Sequence, residues 1–420
     1  MSAIDTEVDH YLRAVTELGD TREIIASRDI YSENGTKLIA AGIRITSKLY
    51  DKLVDHKLQL PLDMSVTTEP PIGLNSITTD LQQLIDANPI FRQIAESINQ
   101  SFNLNQVIAA INMPPPLYFR LTVSKEKFPN IYQRALSSVL LTLFIAHCEK
   151  MTQEDTQSIA ISALFHNIGM MHVDPTMLAP TYRMNSNERR HIYAHPVTAY
   201  MLLKQFPELS KTVGEAILEH HERMDGRGYP RGLTGDRISR CGQILGIAVV
   251  SAKAFESNDL AELQKLAVTL KVSARQYGNG LIGHIVSMIN QDVDPNVDSA
   301  GDAKNLTGKM KLIASAFEQF NLAVEDGVTD QMLEYAKQRV SLLRMDFQDV
   351  GIDLGNIEDS LHVFDDHPEL AHEYIPLVNE ALWQLKSILL DISRRWPQEF
   401  EESVSGEGWL TQQRDLLLAG

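Results

Sequence analysis

Two short stretches carry the residues best suited to chemistry. "HHERMDGRGYP" (220–230) places His220 and His221 beside Glu222, Asp225 and a glycine-rich turn, and "LFHNIGMMHVD" (164–174) brings His166 and His172. Between them lie His191 and His195, so six of the chain's 13 histidines fall between positions 166 and 221. His191 and His195 are four apart and Glu188 precedes His191 by three, so on a helix all three share one face, a spacing that suits metal binding. Adjacent His220 and His221 point about 100° apart on a helix. One helix end could thus offer imidazoles to two neighbouring ions, or one metal ligand and one substrate donor. Such clusters suit Fe, Zn, Ni or Mn better than Mg or Ca. Taken singly, each histidine is more commonly a surface residue or a hydrogen-bonded core residue than a ligand. Clustering beside a glycine-rich loop between helices weakens that plain reading.

The elements that must position these residues are mostly helices. From about residue 77 apolar residues recur at three- and four-residue intervals, interrupted at Pro89 and before "MPPPL". Pro196, directly after His195, places that histidine where one helix ends and the next begins. Upstream, "REIIASRDIYSENGTKLIAAGIRI" (22–45) reads as two strands around Asn34-Gly35, whose positive φ angles would make a tight hairpin. An amphipathic helix with Leu49, Leu53 and Val54 follows, and a Pro-, Ser- and Thr-rich loop through "PLDMSVTTEPPIGLNS" marks a boundary. The expected organisation is a small mixed α/β domain over 1–75, a helical linker over 76–125, the site-bearing domain over 126–300 and a C-terminal helical extension over 301–420. That extension holds three amphipathic segments that read as a bundle or a dimerisation arm.

Composition narrows the partners. With 38 Lys and Arg against 55 Asp and Glu, the net charge is −17. Such a surface repels duplex nucleic acid and anionic membrane, and a small anion would need a metal or an arginine cluster. Apolar residues at 44% are ordinary for a globular protein. Two cysteines, Cys148 and Cys241, make no CxxC pair and fit a reducing compartment. No export signal is visible, and the longest apolar stretch, "LSSVLLTLFIAHC" (136–148), is short of the roughly 20 residues a bilayer requires. A cytoplasmic protein is expected.

The segments "ALFHNIGMMHVDPTML", "HP" at 195–196 and "HHERMDGRGYPRGLTGDRI" resemble the HD-GYP family, a bacterial branch of the HD-domain metal-dependent phosphohydrolases that degrade cyclic di-GMP. The resemblance implies a mainly α fold: an all-helical HD-type domain, here with a small N-terminal α/β domain and a C-terminal helical extension. It implies a bi- or trinuclear iron or manganese centre in the family. It places His166, His195, His220 and His221 as metal ligands, and Gly228, Tyr229 and Pro230 in the loop linked to contacts with diguanylate cyclase domains.

Departures from the family pattern shape the functional expectation. Asn167 stands where the family has Asp, and Met170 where it has a phosphate-facing Lys. The upstream ligand histidine has no counterpart in "PNIYQRALSSVLL", His147 lies out of pattern, and Val249 stands where a later Asp ligand belongs. An Asn amide is neutral and neither screens two cations nor holds a bridging hydroxide. The expectation is a degenerate domain holding one divalent ion (Fe, Mn or Zn) or none. It would bind cyclic di-GMP or a diguanylate cyclase-type partner, with hydrolysis lost or strongly impaired and a homodimer formed through the C-terminal helices. An active metal-dependent phosphodiesterase is the alternative, and a ligand-free structural adaptor the third reading. Glu222 and Asp225 are candidates to orient His220 or His221, or to cap a helix end. Arg227, Arg231 and Arg237 are the candidate anion or partner contacts of the loop, although single arginines are more often simply solvated.

Overall fold

The computed structural model describes residues 9–68, 73–99, 104–111, 113–179, 182, 184, 186–289, 303–325, 331–349, 371–397 and 400. The chain is mainly α and divides into two compact units, Met1–Asp259 and Leu260–Gly420. The division falls at 259–260 rather than at 300–301, so the helices of 260–289 belong to the C-terminal unit.

In the first unit, α1 (His10–Thr21) starts at Asp9, whose carboxylate accepts from Leu12 N at 2.9 Å. Strands β2 (Ile30–Tyr31) and β3 (Lys37–Ile39) form the expected hairpin around "ENG". Of the turn pair, only Gly35 takes a positive φ (78°), and Asn34 does not. β1 (Ile24–Ala26) instead pairs antiparallel with β4 (Val66–Thr68), Ile24 opposite Thr68. The stretch read as a boundary loop therefore contains a strand that ties the N-terminal segment together. The amphipathic helix expected around Leu49, Leu53 and Val54 shrinks to a 3-10 turn and α2 (Tyr50–Val54), with Leu53 buried. The N-terminal segment is not separate: α1 packs on α6 (Pro115–Lys127) and on the turn that follows His166.

Helices α3 (Leu74–Ala87), α4 (Pro89–Asn99) and α5 (Leu104–Ala109) lead into α6 and α7 (Pro129–Cys148). α7 is the central helix. Leu140, Leu141, Leu143 and Ile145 are fully buried, because α8 (Gln153–Phe165) and α11 (Arg240–Ser257) pack along it. Its full length and composition would suffice to cross a bilayer, but 72% of its apolar window is buried inside the unit. α9 (Ser186–Leu203) and α10 (Lys211–Glu219) complete the frame. Proline does not divide α9: the helix runs through Pro196, against expectation.

The second unit begins with α12 (Leu260–Val272), α13 (Ala274–Tyr277) and α14 (Asn279–Ile289). The three amphipathic segments form α15 (Ala303–Glu325), α16 (Gln331–Gln348) and α17 (Ala371–Arg395). Their apolar faces share one core that includes Ile313, Phe317, Leu343, Phe347, Leu385 and Ile392.

Candidate metal centre

His166 caps the end of α8, His195 sits inside α9, and His220 and His221 directly follow α10. Three of the four imidazoles use one local device. His166 Nδ1 donates to Ala163 O at 2.8 Å, His195 Nδ1 to Ile192 O at 2.6 Å and His220 Nδ1 to Ile217 O at 2.6 Å. A carbonyl can only accept, so Nδ1 carries the proton in each ring and Nε2 presents its lone pair. The carbonyls are available for definite reasons. Ala163 and Ile217 lie in the last turns of their helices, where carbonyls lack a helical donor. Ile192 lies mid-helix, but its donor would be the N–H of residue 196, and Pro196 has none. The "HP" pair is thus one unit: proline frees the acceptor that holds the histidine.

The tautomers of His195 and His220 turn their lone pairs toward each other. His195 Nε2 lies 3.3 Å from His220 Nε2, and ligand atoms of His195, His220 and His221 all lie within 4.8 Å of one another. Among the described residues no other His, Cys, Asp or Glu grouping of this kind occurs, and no carboxylate joins this one. His166 stands beside the trio, its ring 5.2 Å from that of His220 and edge-on to it, with a buried Nε2 that has no hydrogen-bond partner. Burial holds all four imidazoles neutral, pushing His166 down to about 3, His195 to about 4, and His220 and His221 well below the ordinary value of 6.5. The neighbouring rings add to the shift at His166, His220 and His221.

The donor set fits a divalent ion. Two nitrogens bound to one tetrahedral zinc at about 2.0–2.1 Å lie about 3.3 Å apart. Two facing lone pairs cannot hydrogen-bond each other, so a cation between them satisfies both.

Close backbone contacts fix the frame. A Cβ at Gly169 would fall 2.1 Å from His195 O, so only glycine lets the turn after His166 lie against α9. A Cβ at Gly228 would fall 2.3 Å from Glu222 Cα, so the loop can fold back on the end of α10 only with glycine there. That return stacks Tyr229 on His221 (centroids 4.6 Å, 15° between planes), with Tyr193 edge-on to Tyr229 at 4.7 Å.

The acidic residues of the loop do not orient the imidazoles. Glu222 accepts from Arg231 N at 2.7 Å and Leu233 N at 2.8 Å, clamping the loop. Asp225 accepts from Arg227 N at 3.0 Å and pairs with the Arg227 side chain at 2.6 Å, where both side chains are largely buried. Arg227 is therefore a neutralised brace rather than a free anion contact. Arg231 pairs with Glu219 at 2.5 Å and stays partly exposed, while Pro230 and Arg237 are exposed. Asn167 begins the 3-10 turn Ile168–His172, and Met170 and Val249 are half-buried. His191 and His172 do not join the cluster and line a different cavity.

Sequence reasoning missed Arg134. It lies in the segment of α7 where the family pattern places a ligand histidine, pairs with Glu256 at 2.9 Å, and stands close enough to His166 to lower its basicity further. Its sequence signal was a charge inside a helix that is otherwise largely buried.

Residues 105–270 match the HD domain family. The chain is 26% identical over 146 residues to the cyclic di-GMP phosphodiesterase PdeB of Borreliella burgdorferi, covering 34% of this chain and 38% of that protein. It is 32% identical over 197 residues to the cyclic di-GMP phosphodiesterase response regulator RpfG of Xanthomonas campestris, covering 45% of this chain and 50% of that protein. It is 38% identical over 88 residues to a 3'3'-cGAMP-specific phosphodiesterase of Vibrio cholerae, covering 21% and 19%. The chain thus spans no more than half the length of these relatives. Residues 105–270 thus form an HD domain, similar to those of cyclic di-GMP phosphodiesterases, with the paired histidines and the Gly-Tyr-Pro loop set on this helical frame.

Proposed function

We propose that the HD domain is a signalling module that binds a cyclic dinucleotide, cyclic di-GMP first, without efficient hydrolysis. The observation that carries this reading is the all-imidazole composition of the cluster: His195, His220 and His221 converge within 4.8 Å and no carboxylate converges with them. Three neutral nitrogens suit one ion of zinc, iron or manganese, with His166 as the adjacent fourth imidazole. Two cations held side by side require an anionic bridge, and Asn167 offers only a neutral amide. When bound, a single ion supplies a Lewis-acidic contact for a phosphate oxygen. Met170 adds no charge for the phosphate, and losing one preorganised donor costs about 10²–10³ in rate. The ligand class follows the relatives, named as cyclic di-GMP and 3'3'-cGAMP phosphodiesterases.

The exposed Pro230, Arg231 and Arg237 form the surface proposed for a diguanylate cyclase-type partner. Homodimerisation belongs to the same proposal, and the 60% exposure of Trp383 on α17 supports it. The proposed setting is the cytoplasm.

Metal analysis of the purified chain, coupled to calorimetry and product analysis with cyclic di-GMP, tests the reading. The expected result is at most one equivalent of metal, saturable nucleotide binding weakened by Arg237→Ala, and no product. Two or more equivalents of iron or manganese with steady turnover would instead establish the active phosphodiesterase, and an absence of binding heat would leave the adaptor.

A further inference from the structure

A second cavity, of about 730 Å³, opens within the first unit, and none of the four clustered imidazoles lines it. Its walls combine α1, the segment after α2, α6 and the stretch that follows His166. At its base Arg120 and Asp63 form an ion pair in which both residues are almost fully buried (3% and 4% exposed). The Arg120 guanidinium also lies over the Tyr11 ring, 4.6 Å from its centroid, and the His172 ring lies 5.0 Å from Tyr11 on a tilted plane.

The polar groups of this cavity do not balance. Arg120 gives an Nη2 N–H to Asp63, while its buried Nε and Nη1 have no acceptor. The acids that line the space are engaged elsewhere: Asp9 caps α1 through Leu12 N, and Asp174 accepts from Thr176 N at 2.9 Å. The Tyr11 hydroxyl lies by Asp63 yet is itself buried without a hydrogen-bond partner. Guanidinium stays charged at any ordinary pH, so Arg120 cannot shed the imbalance by losing a proton. A guanidinium that lines a partly apolar space of ligand size and keeps two covered N–H groups without acceptors can serve an oxyanion site once its wall yields to admit the anion.

We propose that this cavity binds a small organic anion whose carboxylate or phosphate sits against Arg120 and whose apolar body runs along Val54, Leu58 and Met177. The ligand would also touch His172, which ends the 3-10 turn begun at Asn167, and His191, one helical turn before His195 on α9. The turn that follows His166 and the helix that carries His195 are thereby in contact with it, so the site is an effector site for the HD domain.

The test uses the full chain with methyl-labelled methionine, titrated separately with hexyl phosphate and hexanoate while the Met177 methyl signal is followed by NMR. A saturable Met177 shift with hexyl phosphate assigns a phosphate ester, and one with hexanoate assigns a carboxylate; either supports the proposal. Arg120→Gln is expected to weaken that binding at least about tenfold. Val54→Trp, which fills the cavity from a half-buried rim position without touching the ion pair, should abolish it, and this keeps the test decisive should Arg120→Gln not fold. No Met177 shift with either compound at millimolar concentration, or undiminished binding by Val54→Trp, overturns it.

Discussion

His195 Nε2 and His220 Nε2 face each other across 3.3 Å with both lone pairs pointing inward. Neither nitrogen can donate, because each ring has already placed its proton on Nδ1 and given it to a carbonyl of its own helix. A cation or a proton between them would satisfy both lone pairs, and burial strongly disfavours the proton. Two of the three clustered rings, and His166 beside them, are oriented by backbone carbonyls rather than by acidic side chains.

Pro196→Ala separates that device from fold stability. Alanine restores an N–H that competes with His195 Nδ1 for Ile192 O. Removing proline from a helix interior should stabilise the metal-free protein by up to about 3 kcal/mol. Freeing the ring should weaken metal affinity about 10–100-fold, the usual cost of losing a group that orients a ligand. Urea unfolding of metal-free protein and a competitive chelator titration measure the two effects. Changes of the same sign in both would contradict the role assigned to the His-Pro pair.

The neutral imidazoles also set an acid limit. The folded chain holds His166 near about 3 and His195 near about 4, against an ordinary value of 6.5. Above pH 6.5 both folded and unfolded states leave these rings neutral, and the stability they permit is complete. As pH falls below 6.5 the unfolded rings take protons that the folded rings refuse. Stability then drops by about 1.4 kcal/mol per pH unit for each ring until the folded value is reached. His172, also lowered to about 3 by burial and by Arg120, adds to the fall. Urea midpoints of metal-free protein should be level between pH 7 and 8 and decline steeply from pH 6 to 5. A midpoint that holds at pH 5 would count against neutral, buried rings.

The helical frame and the four imidazoles were legible in the sequence because spacing and motif are local properties. Pairing across distance was not. Val66–Thr68 reads as loop, yet becomes a strand because Ile24–Ala26 needs a partner. Pro196 reads as a helix boundary because proline usually lacks compensation inside a helix, and here His195 Nδ1 supplies it. Glu222, Asp225 and Arg227 read as candidate site residues by proximity in the chain. Their partners, set by how the loop returns, turn out to be loop backbone and one another. The Arg120–Asp63 pair joins residues 57 positions apart and left no local pattern at all.

Missing negative charge makes the last prediction the most direct. Asn167 and Val249 stand where the family pattern places acids, on the turn that follows His166 and on α11, which packs against α10. Introducing Asn167→Asp and Val249→Asp together supplies two carboxylates to a cluster that has none. The double variant should bind a second equivalent of iron or manganese, whereas either single change should leave the stoichiometry at one. Each added carboxylate also enters a partly buried space, so the metal-free double variant should lose about 1–3 kcal/mol of stability and regain it on loading. Elemental analysis beside unfolding of the metal-free and loaded protein separates the two effects. A double variant that folds, loses stability as expected and still binds one ion would place the obstacle in the geometry of Arg134 and Glu256 rather than in the charge of the cluster.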